Sequence, residues 1–501
     1  MLALPEWSLA ASLLLGSLLV LHVLSKNHPL RRYPLVNGRA LTEIFDSKAK
    51  QRFVDHAQSL IDAGFKHSSQ GFRLHTDFGT KLVLPPKYAE EIALDGRFSF
   101  GKSIDREFFV DYAGFEPFRS GPEHNGLFLD TIKSKMTNAG LIMRPLSEET
   151  ELTLREQWTD SPEWHTLPLY TNVVRIIAQL TSRIFLGQEL CRSAAWLEIT
   201  SIYPVVGFEA AKELRLWPRP LRPLVVWFLP SCQRLRAQVQ RARDVMGPVL
   251  DAREAARTNG CAPDQLDAIE WLEEKAKGRP YDPAIAQLTL SLAAVHTTAD
   301  LLAKVLLDLC EHAEIIPALR QEIVAVIQEH GWQKSTLVNL KLMDSFLKEN
   351  QRLKPFSLIP MERDAEHSVR LRDGTEIPKG TTLTVANHHL RDPAIYPDPE
   401  RFDPYRFLKL RDEKGQERTA QLESTSPDHL GFGYGKYACP GRFFASSEVK
   451  IALCHILLKY DLQLVGNTTP RVGMHGFFIE VDPAVQFAVR RRAEEIQIPV
   501  A

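Results

Sequence analysis

The feature that most constrains this chain is a glycine-rich loop that contains a single cysteine. Residues 432–441 read Phe-Gly-Tyr-Gly-Lys-Tyr-Ala-Cys-Pro-Gly. Gly433 and Gly435 permit a tight turn with positive φ and the close approach of a flat ligand. Apolar residues at helical spacing follow from Arg442 onward, so Cys439 is predicted to lie at the start of a helix. Free backbone N–H groups and the helix dipole favour the thiolate over the thiol at such a position.

Three interpretations of a loop of this kind can be compared. A thiolate between a glycine-rich loop and a helix can hold haem iron from one face. A buried structural cysteine would use the same surroundings. A phosphate-binding loop is excluded, because the glycine spacing is wrong and no strand-to-helix unit surrounds it. The loop by itself leaves the first two uses open.

The loop resembles the haem-binding loop of the cytochrome P450 superfamily, whose pattern is Phe-x-x-Gly-x-x-x-Cys-x-Gly. Phe432, Gly435, Cys439 and Gly441 match that pattern. The resemblance implies haem b with Cys439 as axial ligand, in a mainly α fold with a small β-rich part. Tyr437 stands where the family usually has an arginine or histidine that contacts a haem propionate. It could donate one hydrogen bond there, without a charge.

A long helix is predicted to start at Asp282, with aspartate as N-cap and Pro283 at the first helical position. In the resembled family this helix passes over the distal face of the haem. Ala293 would leave room for dioxygen, and Thr297 would hydrogen-bond to it. The family usually has an acid before this threonine, where this chain has His296. His296 is interpreted as a proton shuttle or as a satisfied core histidine, and Thr297 could also be an ordinary back-bonding helix threonine.

A second set of residues fits a buried ion network of the same family. Glu349 and Arg352 are i,i+3 neighbours on a helix predicted over residues 341–353. The resemblance implies a further arginine from a Pro-x-Arg-Phe stretch. Arg406 fits that place, and Arg401 is the second candidate. Arg363 is expected to contact a haem propionate through a bidentate, charge-assisted bond.

The N-terminus has the composition of a membrane anchor. Residues 9–24 are apolar or small apart from His22, and a helix over residues 2–24 would be roughly 34 Å long, enough to cross a bilayer. Basic residues follow this run and none precedes it, so the body of the chain is expected to face the cytosol. We expect a single-pass anchor over residues 1–25 in the endoplasmic reticulum, a hinge over 26–39 and the catalytic domain over 40–501. A cleaved signal peptide is the alternative.

The composition of the chain limits the kinds of partner and site that we expect. Its 61 basic and 62 acidic residues give a net charge of −1, which gives no indication of a nucleic-acid partner. The six cysteines form no CxxC pair, so neither a disulfide framework nor a zinc site is expected. Lys436, Arg442 and Lys450 could offer a basic face to a redox partner. Apolar side chains within the proline-rich residues 201–230 could dip into a lipid interface.

The remaining segments give coarser predictions. Residues 42–63 and 152–186 are predicted to be helical. Residues 73–84 are predicted to form a strand pair that turns near Gly79. Hairpins are predicted over residues 369–385 and 473–490, and an aromatic-rich loop over residues 98–122.

The resemblance implies a haem-thiolate monooxygenase that uses O2 and electrons from NADPH through a separate NADPH–cytochrome P450 reductase. Similarity to fungal, microsomal-type members suggests a bulky lipophilic secondary metabolite as substrate: a terpenoid, meroterpenoid, indole diterpene or polyketide. Two alternatives remain. One is an enzyme of the same fold that rearranges or dehydrates its substrate without a reductase, against which Thr297 argues mildly. The other is a non-catalytic haem-binding or lipid-binding protein.

Overall fold

The computed structural model describes residues 29–40, 42–43, 45–119, 126–260, 266–466 and 471–499. The predicted anchor and the start of the predicted hinge therefore lie outside the described residues. The helices of the described part are α1 Ser47–His67, α2 Ala89–Leu94, α3 Phe100–Phe108, α4 Gly126–Thr131, α5 Ala139–Trp158, α6 Leu169–Phe185, α7 Gly187–Leu190, α8 Ala194–Arg215, α9 Arg222–Val225, α10 Pro230–Thr258, α11 Ala268–Ala276, α12 Pro283–Glu311, α13 Ile316–His330, α14 Lys334–Asn339, α15 Lys341–Leu353, α16 Arg406–Arg411 and α17 Arg442–Lys459.

Short strands make up the β-rich part. They are β1 Leu35–Val36, β2 Phe72–Thr76, β3 Gly79–Leu84, β4 Phe98–Ser99, β5 His165–Pro168, β6 Arg363–Ala365, β7 Val369–Arg370, β8 Glu376–Ile377, β9 Thr382–Val385, β10 Tyr460–Val465, β11 Val472–His475, β12 Phe478–Val481 and β13 Gln486–Arg491. The largest sheet has the order β1-β2-β3-β9-β6-β4, and a second has the order β10-β13-β5. The predicted class, mainly α with a small β part, is confirmed.

Helix α12 is the central element of the helical part. Asp282 caps it as predicted, since its Oδ1 accepts hydrogen bonds from the backbone N–H groups of Ala284 and Ile285 at 2.9 and 3.1 Å. The helix packs against α6, α8, α10, α15 and α17. A helix that is apolar on most sides is a core helix. In the described part of the chain, α12 alone is long and apolar enough to span a membrane, and it is mostly buried inside the protein.

The hairpin predicted over residues 73–84 is confirmed, because β2 and β3 pair antiparallel around a turn in which Thr76 faces Gly79. Gly79 has φ +114°, a conformation that favours glycine. Parallel pairing of β3 with β9 joins this hairpin to the rest of the sheet. The turn and the pairing place Arg363, on β6, at the inner side of the sheet beside β9.

Several predicted boundaries were wrong. The single helix predicted over residues 152–186 is two helices, because β5 separates α5 from α6 and pairs with β13. The helix predicted over residues 42–63 begins at Ser47 and ends at His67. Both predicted C-terminal hairpins are present but shorter than predicted, since β7 pairs antiparallel with β8 and β11 with β12. The later strands pair elsewhere: β9 joins the large sheet, and β13 pairs with β10. Residues 98–122 contain helix α3 in place of a loop.

Candidate active site around Cys439

The cysteine loop adopts the conformation that its glycines predict. Gly433 and Gly435 have φ of 69° and 70°. The backbone N–H of Cys439 donates to the carbonyl oxygen of Phe432 at 2.8 Å, which closes the loop. A Cβ at position 435 would lie 2.6 Å from the Cβ of Ala93, on α2. Glycine is required there both by backbone conformation and by close packing.

Cys439 lies just before α17, which starts at Arg442 with Gly441 as its N-cap residue. The guanidinium of Arg442 donates to the carbonyl oxygen of Cys439 at 2.9 Å. Burial raises the pKa of Cys439, and the N–H groups of Gly441 and Arg442 with the charge of Arg442 only partly offset this. The N–H groups at the helix start therefore favour the thiolate as expected, but burial of the side chain outweighs their effect. Coordination to a metal would deprotonate the thiol outright.

Helix α12 has an open face in the middle of its buried length. Ala293 and Thr297 lie one turn apart and are exposed, whereas Val295, Thr298 and Ala299 are buried. The hydroxyl of Thr297 donates to the carbonyl oxygens of Ala293 at 2.8 Å and Ala294 at 3.3 Å. The back-bonding that the sequence left open is therefore present. The oxygen of the same hydroxyl keeps lone pairs that can accept a bond from the open side.

His296 faces a different neighbour from Thr297. Burial lowers the pKa of His296, and the carbonyl groups of Ser201 and Thr200 on α8 partly offset that effect. The imidazole is therefore neutral near pH 7 and lies against α8. This geometry is compatible both with a shuttle reached from α8 and with a core histidine.

Arg363 and Tyr437 come together although 73 positions separate them in the sequence. The guanidinium of Arg363 lies 4.6 Å from the centre of the Tyr437 ring and 5.9 Å from that of Phe100. Its Nη1 donates to the carbonyl oxygen of Glu362 at 2.6 Å. Arg363 is only 2% exposed, so a planar cation is held inside the protein beside the cysteine loop. Sequence reasoning did not assign Phe100 to this group, since nothing in its local sequence distinguishes it from the other aromatic residues of residues 98–122.

The predicted ion network is confirmed, with Arg406 as its third member. Both side chains of the Glu349–Arg352 pair are fully buried, and two guanidinium N–H groups of Arg352 donate to the carboxylate at 2.8 Å. Nε of Arg406 lies 3.2 and 3.1 Å from the same two oxygens. Arg401 contributes its carbonyl oxygen, which accepts from Arg406 at 3.2 Å. The carboxylate is therefore shared by two arginines, and the network fixes α15 against the segment before α16.

The segment before β6 and the hairpin β11–β12 also meet. The N–H of Leu358 donates to the carbonyl oxygen of Phe477 at 2.9 Å. The rings of Phe356 and Phe478 lie 5.2 Å apart. The segment before β6 and the hairpin β11–β12 therefore form one continuous wall.

Sequence reasoning missed a buried ion pair one turn beyond Thr297. Asp300 and Lys304 on α12 are both buried, with Oδ2 and Nζ 2.5 Å apart. Burial raises the pKa of Asp300 to about 6, partly opposed by Lys304. Lys304 also donates to the carbonyl oxygen of Pro355 at 3.4 Å. An acid and a lysine at i and i+4 inside an apolar run are a signal that could have predicted this pair.

The basic face predicted for a redox partner is mostly not a surface. Lys450 is buried, and its Nζ lies 2.6 Å from Asp344 and 3.4 Å from Glu423. Arg442 is half-buried and donates to the carbonyl oxygens of Cys439 and Glu423. Of the three predicted cations, only Lys436 is exposed. The prediction for Lys450 was wrong because neighbouring elements cover it and supply its ion pairs. Helical spacing in the sequence does not show which face of a helix a neighbouring element covers.

The residues fit a haem with one thiolate ligand. Cys439 is partly exposed although the helix that follows it is buried, so its side chain faces a space within the protein. Within the described residues, Asp308, Glu311 and His312 alone are spaced as metal ligands. Nζ of Lys354 contacts both of these carboxylates, so ion pairs account for that cluster.

Comparison with known proteins gives the family. The cytochrome P450 family matches residues 209–484 of this chain. The cytochrome P450 monooxygenase ptmU of Penicillium ochrochloron is 44% identical over 498 residues, which are 98% of each chain. The cytochrome P450 monooxygenase trt6 of Aspergillus terreus is 47% identical over 454 residues, covering 90% of this chain and 92% of the relative.

A solved structure agrees with this assignment at the level of the fold. The retinoic acid-bound cyanobacterial CYP120A1 superimposes with a TM-score of 0.67 and 17% sequence identity, covering 88% of this chain and 96% of the other. Likeness at this identity shows the fold, whereas the fungal relatives show the activity class. With its cysteine loop, its open central helix and its buried ion network, this chain belongs to the cytochrome P450 family and is a monooxygenase.

Proposed function

We propose that the chain binds haem b through Cys439 and oxidises a bulky lipophilic secondary metabolite. The observation that carries this proposal is the closed glycine loop that holds Cys439 directly before α17, a helix that packs against α12 with its exposed residues Ala293 and Thr297. When bound, haem supplies activation of dioxygen and insertion of one oxygen atom into the substrate.

The residues that would hold the cofactor come from the cysteine loop and from strand β6. Cys439 supplies the thiolate, while Phe432, Gly435 and Gly441 let the loop approach the porphyrin face. Arg363 supplies a buried positive charge for a propionate. Tyr437, whose ring packs against the Arg363 guanidinium, supplies a neutral donor.

Thr297 and His296 are the proposed residues for proton handling. Thr297 Oγ1 would accept a hydrogen bond at the open face of α12 and so hold that proton in place. Its own hydroxyl hydrogen is already directed to two backbone carbonyl oxygens, and the lone pairs of the oxygen remain available. His296 would exchange protons between the site and the carbonyl-lined side of α8. Because burial lowers the pKa of His296, the imidazole would rest in its neutral form and hold a proton only briefly before passing it on.

The proposed substrate is large and apolar, of the terpenoid, meroterpenoid, indole diterpene or polyketide kind. Small side chains at Ala293 and Ala294 leave space above the cofactor, and Phe356 and Phe478 provide an apolar wall. Such a site recognises its ligand by shape and apolar contact and excludes water from the reacting carbon.

We further propose that the chain is a single-pass protein of the endoplasmic reticulum membrane, with anchor 1–25, hinge 26–39 and a cytosolic catalytic domain 40–501. A separate NADPH–cytochrome P450 reductase would supply its electrons. Support comes from an exposed apolar segment, residues 216–228, which projects the side chains of Leu216, Trp217, Leu221, Leu224, Trp227 and Phe228. Arg219 is exposed among them and suited to phosphate headgroups, whereas Arg222 donates to the carbonyl oxygens of Trp217 and Arg215.

A turnover experiment separates this proposal from its alternatives. Microsomes that contain the full chain, a fungal NADPH–cytochrome P450 reductase and candidate terpenoid or polyketide substrates would be supplied with NADPH. The proposal expects an oxygenated product that disappears without reductase and in the Cys439→Ala variant. Product that forms equally well without reductase would contradict it and favour a rearrangement or dehydration. Absence of turnover with every substrate that binds would favour a non-catalytic carrier.

A further inference from the structure

A cationic cavity lies on the sheet side of the molecule, away from the cysteine loop. Its volume is about 340 Å³. It is enclosed by the first described turn, strands β2 and β3, helix α3 and the turn into β9. The nine described residues that line it are Leu30, Arg73, Thr80, Leu82, Arg106, Lys379, Gly380, Thr381 and Thr382.

The lining contains three cations and no acid. Arg106 donates to the hydroxyl of Thr382 at 2.8 Å and is paired with Asp364 behind the wall, also at 2.8 Å. Arg73 donates through Nε to the carbonyl oxygen of Tyr33 at 3.0 Å. Burial, and next the charge of Arg31, lower the pKa of Arg73. The carboxylate of Asp364 balances the charge of Arg106, so the cavity keeps a net positive charge. An anion bound in the cavity would neutralise that charge.

The cavity adjoins the exposed apolar segment. A smaller cavity of about 40 Å³ shares Thr80, Arg106 and Thr382 with it and extends to Arg215. Arg215 is the last residue of α8 and directly precedes the apolar segment, residues 216–228. The apolar segment therefore begins next to the smaller cavity, whose lining also includes the ion pair of Lys81 and Glu107.

The position of the cavity along the chain points to the same surroundings. Leu30, in its wall, follows the end of the predicted anchor by five residues, and five extended residues reach roughly 17 Å. If the anchor crosses a bilayer, the cavity lies within reach of the headgroup layer.

We propose that this cavity binds the phosphate-bearing headgroup of an anionic phospholipid, whose acyl chains lie along the apolar segment 216–228. Guanidinium and ammonium groups with hydroxyl donors are the groups that recognise a phosphate. The adjoining apolar segment favours a lipid over a free phosphate, because only a lipid carries both chemistries. The inference rests on the membrane location proposed above and adds a defined lipid site to it.

The test measures lipid selectivity of the full chain reconstituted in phosphatidylcholine vesicles. Trace spin-labelled phosphatidylserine or phosphatidylcholine is added, and electron paramagnetic resonance gives the immobilised fraction of each. The wild-type chain is expected to prefer phosphatidylserine. Lys379→Glu should reduce that preference by about fivefold or more, since each cation near a membrane surface contributes about that factor. Arg73→Gln should reduce it similarly.

Controls keep the result interpretable. Lys379 is exposed and lies in a turn, so its variant tests the site even if Arg73→Gln fails to fold. The matched control Lys133→Gln/Lys334→Gln removes two exposed charges outside the cavity and should keep the wild-type preference. Equal selectivity in Lys379→Glu and in this control would overturn the proposal. Loss of the preference on adding inorganic phosphate at constant ionic strength would also overturn it, in favour of a soluble anion.

Failure of the membrane location would look different. A chain recovered apart from neutral vesicles would contradict the proposed anchor, whatever the cavity binds. The same labelled lipids in detergent micelles then test the cavity directly. Preference for phosphatidylserine that Lys379→Glu removes would support the site, and equal immobilisation of both lipids would overturn it.

Discussion

The chemistry depends on individual side chains such as Thr297, and the local sequence around this threonine reveals little about its role. The threonine sits on the open face of α12, where its hydroxyl bonds back to Ala293. Thr289, two turns earlier on the same helix, makes the same bond to Ile285 at 2.9 Å. Each threonine bonds back to the carbonyl oxygen four residues earlier, and Thr297 differs in its weaker second acceptor and in its greater exposure. The role proposed for Thr297 therefore follows from its place in the fold.

This contrast gives a matched prediction. Thr297→Ala should lower the fraction of NADPH that ends in product by at least about tenfold, since a positioned proton-transfer group typically contributes about 10²- to 10⁴-fold. Thr289→Ala should leave that fraction unchanged. Both variants should unfold alike, because each loses one back-bond. The measurement is product formed per NADPH consumed. Equal coupling in the two variants would assign Thr297 an ordinary structural role.

Among helices and strands, the buried ion network joins α15 to the segment that leads into α16. Two arginines share the carboxylate of Glu349, and the carbonyl oxygen of Arg401 completes the arrangement. Arg406→Ala should lower the free energy of unfolding by about 2–3 kcal/mol, the range for a lost bond to a charged group. Arg401→Ala should cause little change, since the contributing group is its backbone carbonyl. Denaturant unfolding of the two variants checks this, and similar losses would contradict the assignment.

A fully buried carboxyl on α17 provides a pH prediction. Glu448 accepts a bond from the hydroxyl of Thr181 at 2.8 Å, and burial raises its pKa from 4.5 to about 8. A pKa that is higher in the folded state means that stability is complete below about pH 4.5 and declines as pH rises to about 8. The side chain of Glu448→Gln is always neutral. The free energy of unfolding of this variant should therefore rise relative to that of the wild-type chain by up to about 1.4 kcal/mol per pH unit between these limits.

The comparison is made by denaturant unfolding at pH 5.5, 7 and 8.5. Glu413→Gln, at an exposed position, should show no pH-dependent difference from the wild-type chain. A difference between Glu448→Gln and the wild-type chain that stays constant with pH would contradict the raised pKa.

Elements with strong local signals could be predicted from the sequence. The N-cap of α12 and the bounds of α15 were predicted correctly, because a cap, a first-turn proline and apolar periodicity act locally. The break between α5 and α6 was missed, because β5 exists only through pairing with β13, more than 300 residues away. The placement of β9 failed for the same reason. Strand pairing at long range leaves little trace in local propensity.

Across the whole molecule, motif order and spacing gave the family, and the fungal relatives confirm it. Side-chain environments were harder to predict. Lys450 was expected on the surface and is buried, and Asp300 with Lys304 was not assigned at all. In each case a neighbouring element decides the environment. The cationic cavity likewise depends on segments that are far apart in sequence.

The central claim is that the sulfur of Cys439 ligates haem iron. The most direct measurement is the absorption spectrum of the purified full chain, from a haem-replete host, after reduction and exposure to carbon monoxide. We expect the red-shifted Soret band of a thiolate-ligated haem in the wild-type chain and in Cys310→Ala, and its loss in Cys439→Ala. A preparation without haem, or an unchanged band in Cys439→Ala, would contradict it.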